Sequence, residues 1–580
     1  MIRILLKSVR EYKKASIAAP LFVSAEVVLE CVIPFILAKL VNELKAGCNF
    51  SVLATYGAVL IVLAVMSLFF GIMSGRAAAA ASCGMGCNLR KDMFYAVQKF
   101  SFENIDKFSS SSLVTRMTTD VTNVQNAYMM LIRTVVRSPL IFIFAFVMAF
   151  VMGGSMAWIY LIVAPILGAC LVAVACITVP LFRRIFRKYD KLNVTVQENV
   201  NGMRVVKSFV REEYETQKFD SATGEVCRDF TKAERILALN NPIMQFCLYV
   251  VTVFVLSFGA YKIISTSGAA LDVGQFSALL TYSFMILNSL MMLSMVFVMV
   301  TMAGESAKRI VEVLTEESTL KNPENACTTV ENGSIEFDNV SFKYSAAAEK
   351  KSLYDVSFSI SSGQTVGIVG GTGSSKSTLV SLISRLYDAT DGTVKVGGKD
   401  VREYDLAMLR DQVAVVLQKN VLFSGSVKEN LRWGNKDATD EQLIEACKLA
   451  QAHDFVSAFP DGYDTYIEQG GTNVSGGQNQ RLCIARALLK RPKILIMDDS
   501  TSAVDTKTDA LIRRAMSEYM PEMTKIIIAQ RVASVENSDK ILVMEGGSLS
   551  AMGTNEELLK TSDIYREMVT SQNKAGTENA

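Results

Sequence analysis

Histidine is almost missing from this sequence. Of 580 residues only His453 is one, so a histidine-based metal site is excluded. The surrounding A-Q-A-H-D-F-V reads as a surface or capping position. The 11 cysteines are scattered, several of them inside apolar stretches. Cys83 and Cys87 stand one helical turn apart, but no histidine or further cysteine pair completes a metal set beside them. All 11 read as free thiols that pack in membrane or cytosol. An excess of either charge is also lacking: 59 Lys and Arg oppose 57 Asp and Glu, a net +2. The total gives no case for nucleic-acid binding. A cleavable signal peptide is not evident either, since the first apolar stretch after the basic start is long enough to span a bilayer.

What the sequence does have is apolar length. Hydrophobic residues make up 50% and charged residues 20%, and the mean hydropathy is +0.28. That is too apolar for an average soluble chain and implies a membrane half joined to a soluble half. Six apolar runs lie near residues 16–41, 53–75, 136–153, 157–181, 243–265 and 275–303. Each reaches about 18 residues, enough to cross the hydrocarbon core. Before them, Met1–Lys14 sets Arg3, Lys7, Arg10, Lys13 and Lys14 among Ile4, Leu5, Leu6 and Val9. This predicts a short amphipathic helix on the inner membrane face.

Loop charges orient the spans. Loops near 43–52, 153–157 and 266–274 hold Lys45 as their one basic residue, whereas connections 76–135 and 182–242 are rich in Lys and Arg. By the positive-inside rule both termini face the cytoplasm. The two long connections keep helical spacing with polar faces, so helices are expected to continue far into the cytosol.

Inside the membrane half, Glu26 and Glu30 lie one turn apart in the first span, with Lys39 further on. Acids at that depth are costly and face a cavity or a partner. The last span carries Met285, Met291, Met292, Met295, Met299 and Met302. Methionines suit either an adaptable apolar site or plain helix packing, and both readings stay open. After Leu314 a polar stretch with Pro323 and Gly333 reads as a linker. It sets the domains at 1–320 and 321–580.

The second half is built around Val366–Val380, V-G-I-V-G-G-T-G-S-S-K-S-T-L-V. A buried strand runs into glycines, a lysine and two hydroxyls, then into a helix. The backbone N–H groups of Gly370, Gly371, Thr372, Gly373, Ser374, Ser375, Lys376, Ser377 and Thr378 point at bound phosphate in such a loop. Lys376 reaches the β/γ-phosphates and Ser377 offers its hydroxyl to Mg²⁺. The pattern departs from G-x-x-x-x-G-K-[ST] at Ser375, where glycine is usual. Downstream, Lys493–Asp498 (K-I-L-I-M-D) is a strand ending in an acid, and between the two lies Val474–Arg481, V-S-G-G-Q-N-Q-R.

On these residues the chain resembles the ATP-binding cassette (ABC) proteins. Tyr344 (adenine-stacking), Gln418 (Q-loop) and Ser502–Asp505 (D-loop) follow in family order over about the last 250 residues. The membrane half resembles the exporter-type (type IV) ABC fold. The resemblance therefore implies a membrane all-α domain of six transmembrane helices followed by an α/β P-loop NTPase cassette. It also implies coupling helices near 102–108 and 201–209, and a helical subdomain over 435–470.

The resemblance further implies that ATP is sandwiched between two cassettes, with Ser475, Gly476, Gly477 and Gln478 of one completing the site of the other. Asp498, Ser377 and Gln418 are the Mg²⁺ residues. Two catalytic positions depart from the family. Asp499 replaces the usual glutamate, and its carboxylate is set back by roughly 1.5 Å, where a base needs about 2.6–3.2 Å to its proton. Gln530 replaces the switch histidine and cannot carry a cation or shuttle a proton. Damage on one side, with an intact signature, is the pattern of heterodimeric exporters. The expected function is an ATP-driven export half-transporter of the cell membrane, paired with a different half that has its own glutamate and histidine. Its cofactors are ATP and Mg²⁺, and its substrate a small amphiphile or lipid. The alternatives are a homodimeric, slowly turning gating protein and an importer on the same fold.

Overall fold

The computed structural model describes residues 1–266, 271–345, 348–499 and 504–577. The chain divides into two units, 1–99 with 108–316, and 100–107 with 317–580.

The first unit is helical throughout, as its long apolar runs require. Its elements are α1 (Ile2–Lys7), α2 (Lys13–Ala46), α3 (Phe50–Gln98), α5 (Ser110–Thr115) and α6 (Val121–Gly153). They continue with α7 (Trp158–Asn201), α8 (Met203–Ser208), α9 (Glu212–Leu237), α10 (Asn240–Ser265) and α11 (Val273–Thr315). A short α4 (Phe102–Phe108) lies between α3 and α5.

Five continuous helical runs among the described residues are long and apolar enough to cross a membrane. The run Ser110–Asn201 holds two of the six expected segments, parted at Gly154, where φ is +53°. Phe150 and Trp158 would stand about 12 Å apart along one helix. Their rings lie 5.7 Å apart, so the chain reverses there. At about 1.5 Å per residue, the 49-residue α3 and 43-residue α11 far exceed a 30 Å hydrocarbon core. The predicted helical extensions are present.

The membrane core gathers Val23, Val27, Ala145, Ala149, Leu167, Val251, Leu279 and Tyr282. Small residues let the helices close up. A Cβ on Gly274 would lie 1.9 Å from the Ala38 carbonyl oxygen, so α11 crosses α2 backbone to backbone. The methionines of α11 divide: Met285 and Met291 pack on the core, while Met292, Met295, Met299 and Met302 are exposed.

The second unit contains two main sheets. An antiparallel one has order β2-β1-β4-β5: β1 is Ile335–Phe342, β2 Leu353–Ile360, β4 Asp391–Val396 and β5 Lys399–Asp400. The larger has order β12-β11-β3-β10-β9-β6. Its strands are β3 (Thr365–Gly370), β6 (Val413–Val416), β9 (Ile494–Asp498), β10 (Thr524–Ile528), β11 (Lys540–Glu545) and β12 (Ser548–Gly553). A two-strand pair, β7 (Gly425–Ser426) and β8 (Tyr466–Ile467), completes it.

All neighbours in the larger sheet run parallel except β11 with β12. Its interior strands read as unbroken apolar runs because both faces are covered. Ile368 of β3 pairs with Ile528 of β10, and Ile528 with Asp498 of β9. The carboxyl ends of β3, β10, β9 and β6 therefore lie side by side, the place where open α/β sheets bind ligands.

Candidate functional site

Each of those four strand ends delivers one piece of the site. β3 ends at Gly370 and turns through Gly371–Ser375 into α12 (Lys376–Ile383). A Cβ on Gly370 would lie 2.3 Å from the Met544 carbonyl oxygen, so only glycine fits under the loop. At Gly371 and Gly373 an added Cβ would meet nothing within 4 Å. That side of the loop is open for a ligand to approach the backbone.

Ser375 stands at φ +68°, ψ +26°. The position is left-handed, so its usual glycine is there for a conformational reason, and serine holds it at a cost of about 1–2 kcal/mol. The Lys376 ammonium folds onto the loop, donating to the Gly370 and Gly371 carbonyls, both at 2.8 Å, and to Ser374 Oγ at 3.1 Å. Burial pushes this ammonium down, and the carboxylates of Asp498 and Asp499 push it back up.

Asp498 ends β9 and is 7% exposed. Burial raises its carboxyl, while the Ser377 hydroxyl hydrogen-bonded to it and the Lys376 charge oppose the rise. A hydroxyl and a carboxylate in contact, with the Gln418 amide after β6, form an oxygen set suited to a hard divalent cation.

Asp499 follows at φ +48°. Its Oδ2 accepts from Gln418 Nε2 at 3.2 Å and from Gln530 Nε2 at 2.7 Å. The two catalytic positions that depart from the family pattern thus bond to each other. His453 lies elsewhere, with Nδ1 3.0 Å from the Tyr463 hydroxyl.

Ser475 caps the helix Gly476–Leu489 in a reciprocal box with Gln478. Its Oγ accepts the Gln478 N–H at 3.3 Å, and its own N–H donates to Gln478 Oε1 at 2.9 Å. Ser475 and Gly476 are exposed, so this helix presents open N–H groups outward. Of the D-loop, Ser502 and Ala503 fall outside the described residues. Asp505 caps the helix Thr506–Tyr519 by accepting the Thr508 N–H at 2.9 Å.

Tyr344 donates or accepts at Thr378 Oγ1 across 2.8 Å, which places its ring beside the P-loop helix. Two residues not legible in the sequence hold it. Tyr387 packs edge-on to Tyr344, with centroids 5.3 Å apart, and donates to Asp106 Oδ2 at 2.8 Å. Asp106 is on α4, whose Phe102 also meets the Tyr387 ring at 6.1 Å. Nothing in local spacing links positions 281 residues apart.

The comparisons with known proteins agree on kind. The family model described as ABC transporter transmembrane region matches residues 17–291, and that described as ABC transporter matches 353–502. An uncharacterised ABC transporter ATP-binding protein of Bacillus subtilis, YfiB, is 34% identical over 98% of both chains. The chain belongs to the ABC transporter family.

As an ABC transporter, this chain has other relatives of the same build. An uncharacterised ABC transporter ATP-binding protein of Mycobacterium tuberculosis, Rv1273c, is 32% identical over 100% of this chain and 99% of its own. A Bacillus subtilis protein named as a putative multidrug export ATP-binding/permease protein, YgaD, is 31% identical over 84% and 83%. A bacterial Atm1-family ABC exporter solved with ATP bound has TM-score 0.83, covering 97% and 98%, at 23% identity. The exporter-type fold read from the sequence is thereby borne out, as is an ATP-binding cassette in a multi-pass membrane protein.

ATP contact at the P-loop side has a direct test. Lys376→Ala and Tyr344→Ala are each expected to cut photo-labelling of the full chain by an azido-ATP analogue about tenfold or more, the loss of charge-assisted bonds or of an aromatic face. Undiminished labelling in both variants would show that ATP does not lie against these residues.

Proposed function

We propose that this transporter is one half of a heterodimeric exporter in the cell membrane, with cassette and termini cytoplasmic, whose own ATP site binds ATP and Mg²⁺ but hydrolyses poorly. The observation that carries this reading is the state of Asp499. A general base must reach a proton of the attacking water, and here the Asp499 carboxylate, one methylene shorter than glutamate, is tied back through Oδ2 to the amides of Gln418 and Gln530. Neither amide can accept that proton in turn.

Residues of the loop and of β9 fit the cofactors. The P-loop amides and Lys376 would hold the phosphates, and Ser377, Asp498 and Gln418 the Mg²⁺, which supplies charge neutralisation when bound. The chain's own residues then orient the nucleotide without completing the attack on it. Ser475, Gly476, Gly477 and Gln478, by contrast, form an intact and outward-facing donor group. Such a group serves a partner's γ-phosphate, and its value is greatest where that partner has its own glutamate and histidine. The multidrug name of the relative YgaD and the exposed methionines of α11 support a small amphiphile or lipid as cargo.

Native mass spectrometry of the full chain, expressed alone and with the companion half-transporter isolated from source membranes, tests the pairing. The expected result is a 1:1 complex with the companion and no stable self-dimer. A self-dimer that turns over ATP at an ordinary exporter rate would overturn the reading.

A further inference from the structure

The switch loop that carries Gln530 is held from outside the site. Between β10 and the 3₁₀ turn Val532–Ser534, Arg531 is extended at φ −97°, ψ +124°. The Gln530 carbonyl and the Val532 N–H therefore face the same way, as on a strand edge. One side chain satisfies both. Gln572 Nε2 donates to the Gln530 carbonyl at 2.8 Å, and Gln572 Oε1 accepts from the Val532 N–H at 2.8 Å.

Gln572 belongs to the C-terminal helix Asp563–Thr577. That helix is anchored by Tyr565, fully buried in the cassette core with its hydroxyl on Asn555 Oδ1 at 2.8 Å. Met568 and Val569 pack on the same core, as do Val532 and Val535 of the switch segment. Residues 565, 568, 569 and 572 make one helical stripe. The amide thus reaches the loop from a rigid platform, at the position where the apolar face ends. Asparagine would be too short to bridge both groups, and glutamate would set a carboxylate against the Gln530 carbonyl.

We propose that Gln572 is a positioning residue for Gln530, so that the C-terminal helix sets the conformation of the switch loop and, through it, the hold of this site on ATP. The path has three links, all of them hydrogen bonds: Gln572 to the backbone of 530 and 532, the Gln530 side chain to Asp499, and Asp499 to Gln418. Loss of the first link frees Arg531 from its extended conformation, and the Gln530 amide then no longer points at Asp499. The inference rests on the reading that ATP occupies this chain's own site.

The experiment is the dissociation rate of a fluorescent methylanthraniloyl-ATP, with Mg²⁺, from the full chain in lipid nanodiscs. Gln530→Ala and Gln572→Ala are each expected to speed release about two- to tenfold, the worth of one to two ordinary hydrogen bonds. The double variant is expected to release no faster than Gln530→Ala alone, because Gln572 acts only through Gln530. Gln572→Glu, which keeps the helix and the Val532 acceptor, is expected to match Gln572→Ala.

An unchanged rate in Gln572→Ala would overturn the proposal while leaving the site reading intact. So would multiplying effects in the double variant, with a lowered melting temperature, which would mark Gln572 as support for the cassette in general. Absence of saturable binding by the unmodified chain would overturn the site reading itself, and this proposal with it.

Discussion

In the reconstituted pair, Ser475→Arg is expected to lower steady-state ATP hydrolysis by two to three orders of magnitude, whereas Asp499→Asn is expected to cost less than threefold. The contrast follows from where each group acts. Ser475 and the N–H groups of Gly476 and Gly477 form the exposed start of a helix whose body is buried. On the proposed reading they face phosphate charge held by the partner cassette. Preorganised donors of this kind are worth about 10²–10³ each in rate. An arginine there would both remove the cap and fill the approach. Asp499, on the other hand, is already engaged by Gln418 and Gln530. Its conversion to an amide removes one carboxylate oxygen from a site that, on the proposed reading, already hydrolyses poorly. ATP should stay bound at this chain's P-loop in both variants. If Asp499→Asn proves the more damaging of the two, this chain hydrolyses its own ATP and the asymmetric reading is wrong.

Arg137→Met is expected to destabilise the membrane unit by about 3–5 kcal/mol, the cost of leaving buried charges without their partner. Arg137 on α6 donates to Glu26 Oε1 at 2.5 Å and to the two oxygens of Glu30 at 2.7 and 2.9 Å. It thereby pins α6 to both acids of α2. Glu26 is 7% exposed, and its Oε2 finds no partner among the described residues. A Cβ on Gly71 of α3 would lie 3.1 Å from Glu26 Oε1, so the carboxylate is walled in by a third helix. Without the guanidinium, two acids one turn apart face each other at membrane depth. Thermal unfolding in nanodiscs gives the measure, with a large fall in Tm expected for Arg137→Met. Adding Glu26→Gln and Glu30→Gln to Arg137→Met should recover most of the loss. Equal Tm for Arg137→Met and the unmodified chain would mean that the triad is not formed in the membrane.

The triad also shows how far a one-dimensional reading reaches. Glu26 and Glu30 stand out from the sequence because intramembrane acids are costly, and the physical rule behind that requires a partner or a cavity. It does not say which. Arg137 lies 107 and 111 positions away on a span whose own pattern gives no sign of the pairing. The same holds for Ser375. The motif shows a serine where glycine is usual, but only the backbone torsion reveals a left-handed position and hence a conformational cost.

Apolar length and the order of motifs determined the architecture without coordinates. A bilayer core sets a minimum run of apolar residues, and a P-loop, a signature and an acid-ended strand in that order occur together in one kind of cassette. Bilayer spans, the reversal near 154 and the strand ends bearing Gly370 and Asp498 follow from local periodicity, because each depends on neighbours within a few residues. What only the tertiary structure decided is which side chains meet. The Asp499–Gln530 bond, the Gln572 clamp, the Tyr387–Asp106 contact and the Arg137 triad each join distant segments. Their partners are chosen by strand order and helix packing, which no spacing along the chain encodes, since a hydrogen bond depends on separation in space alone.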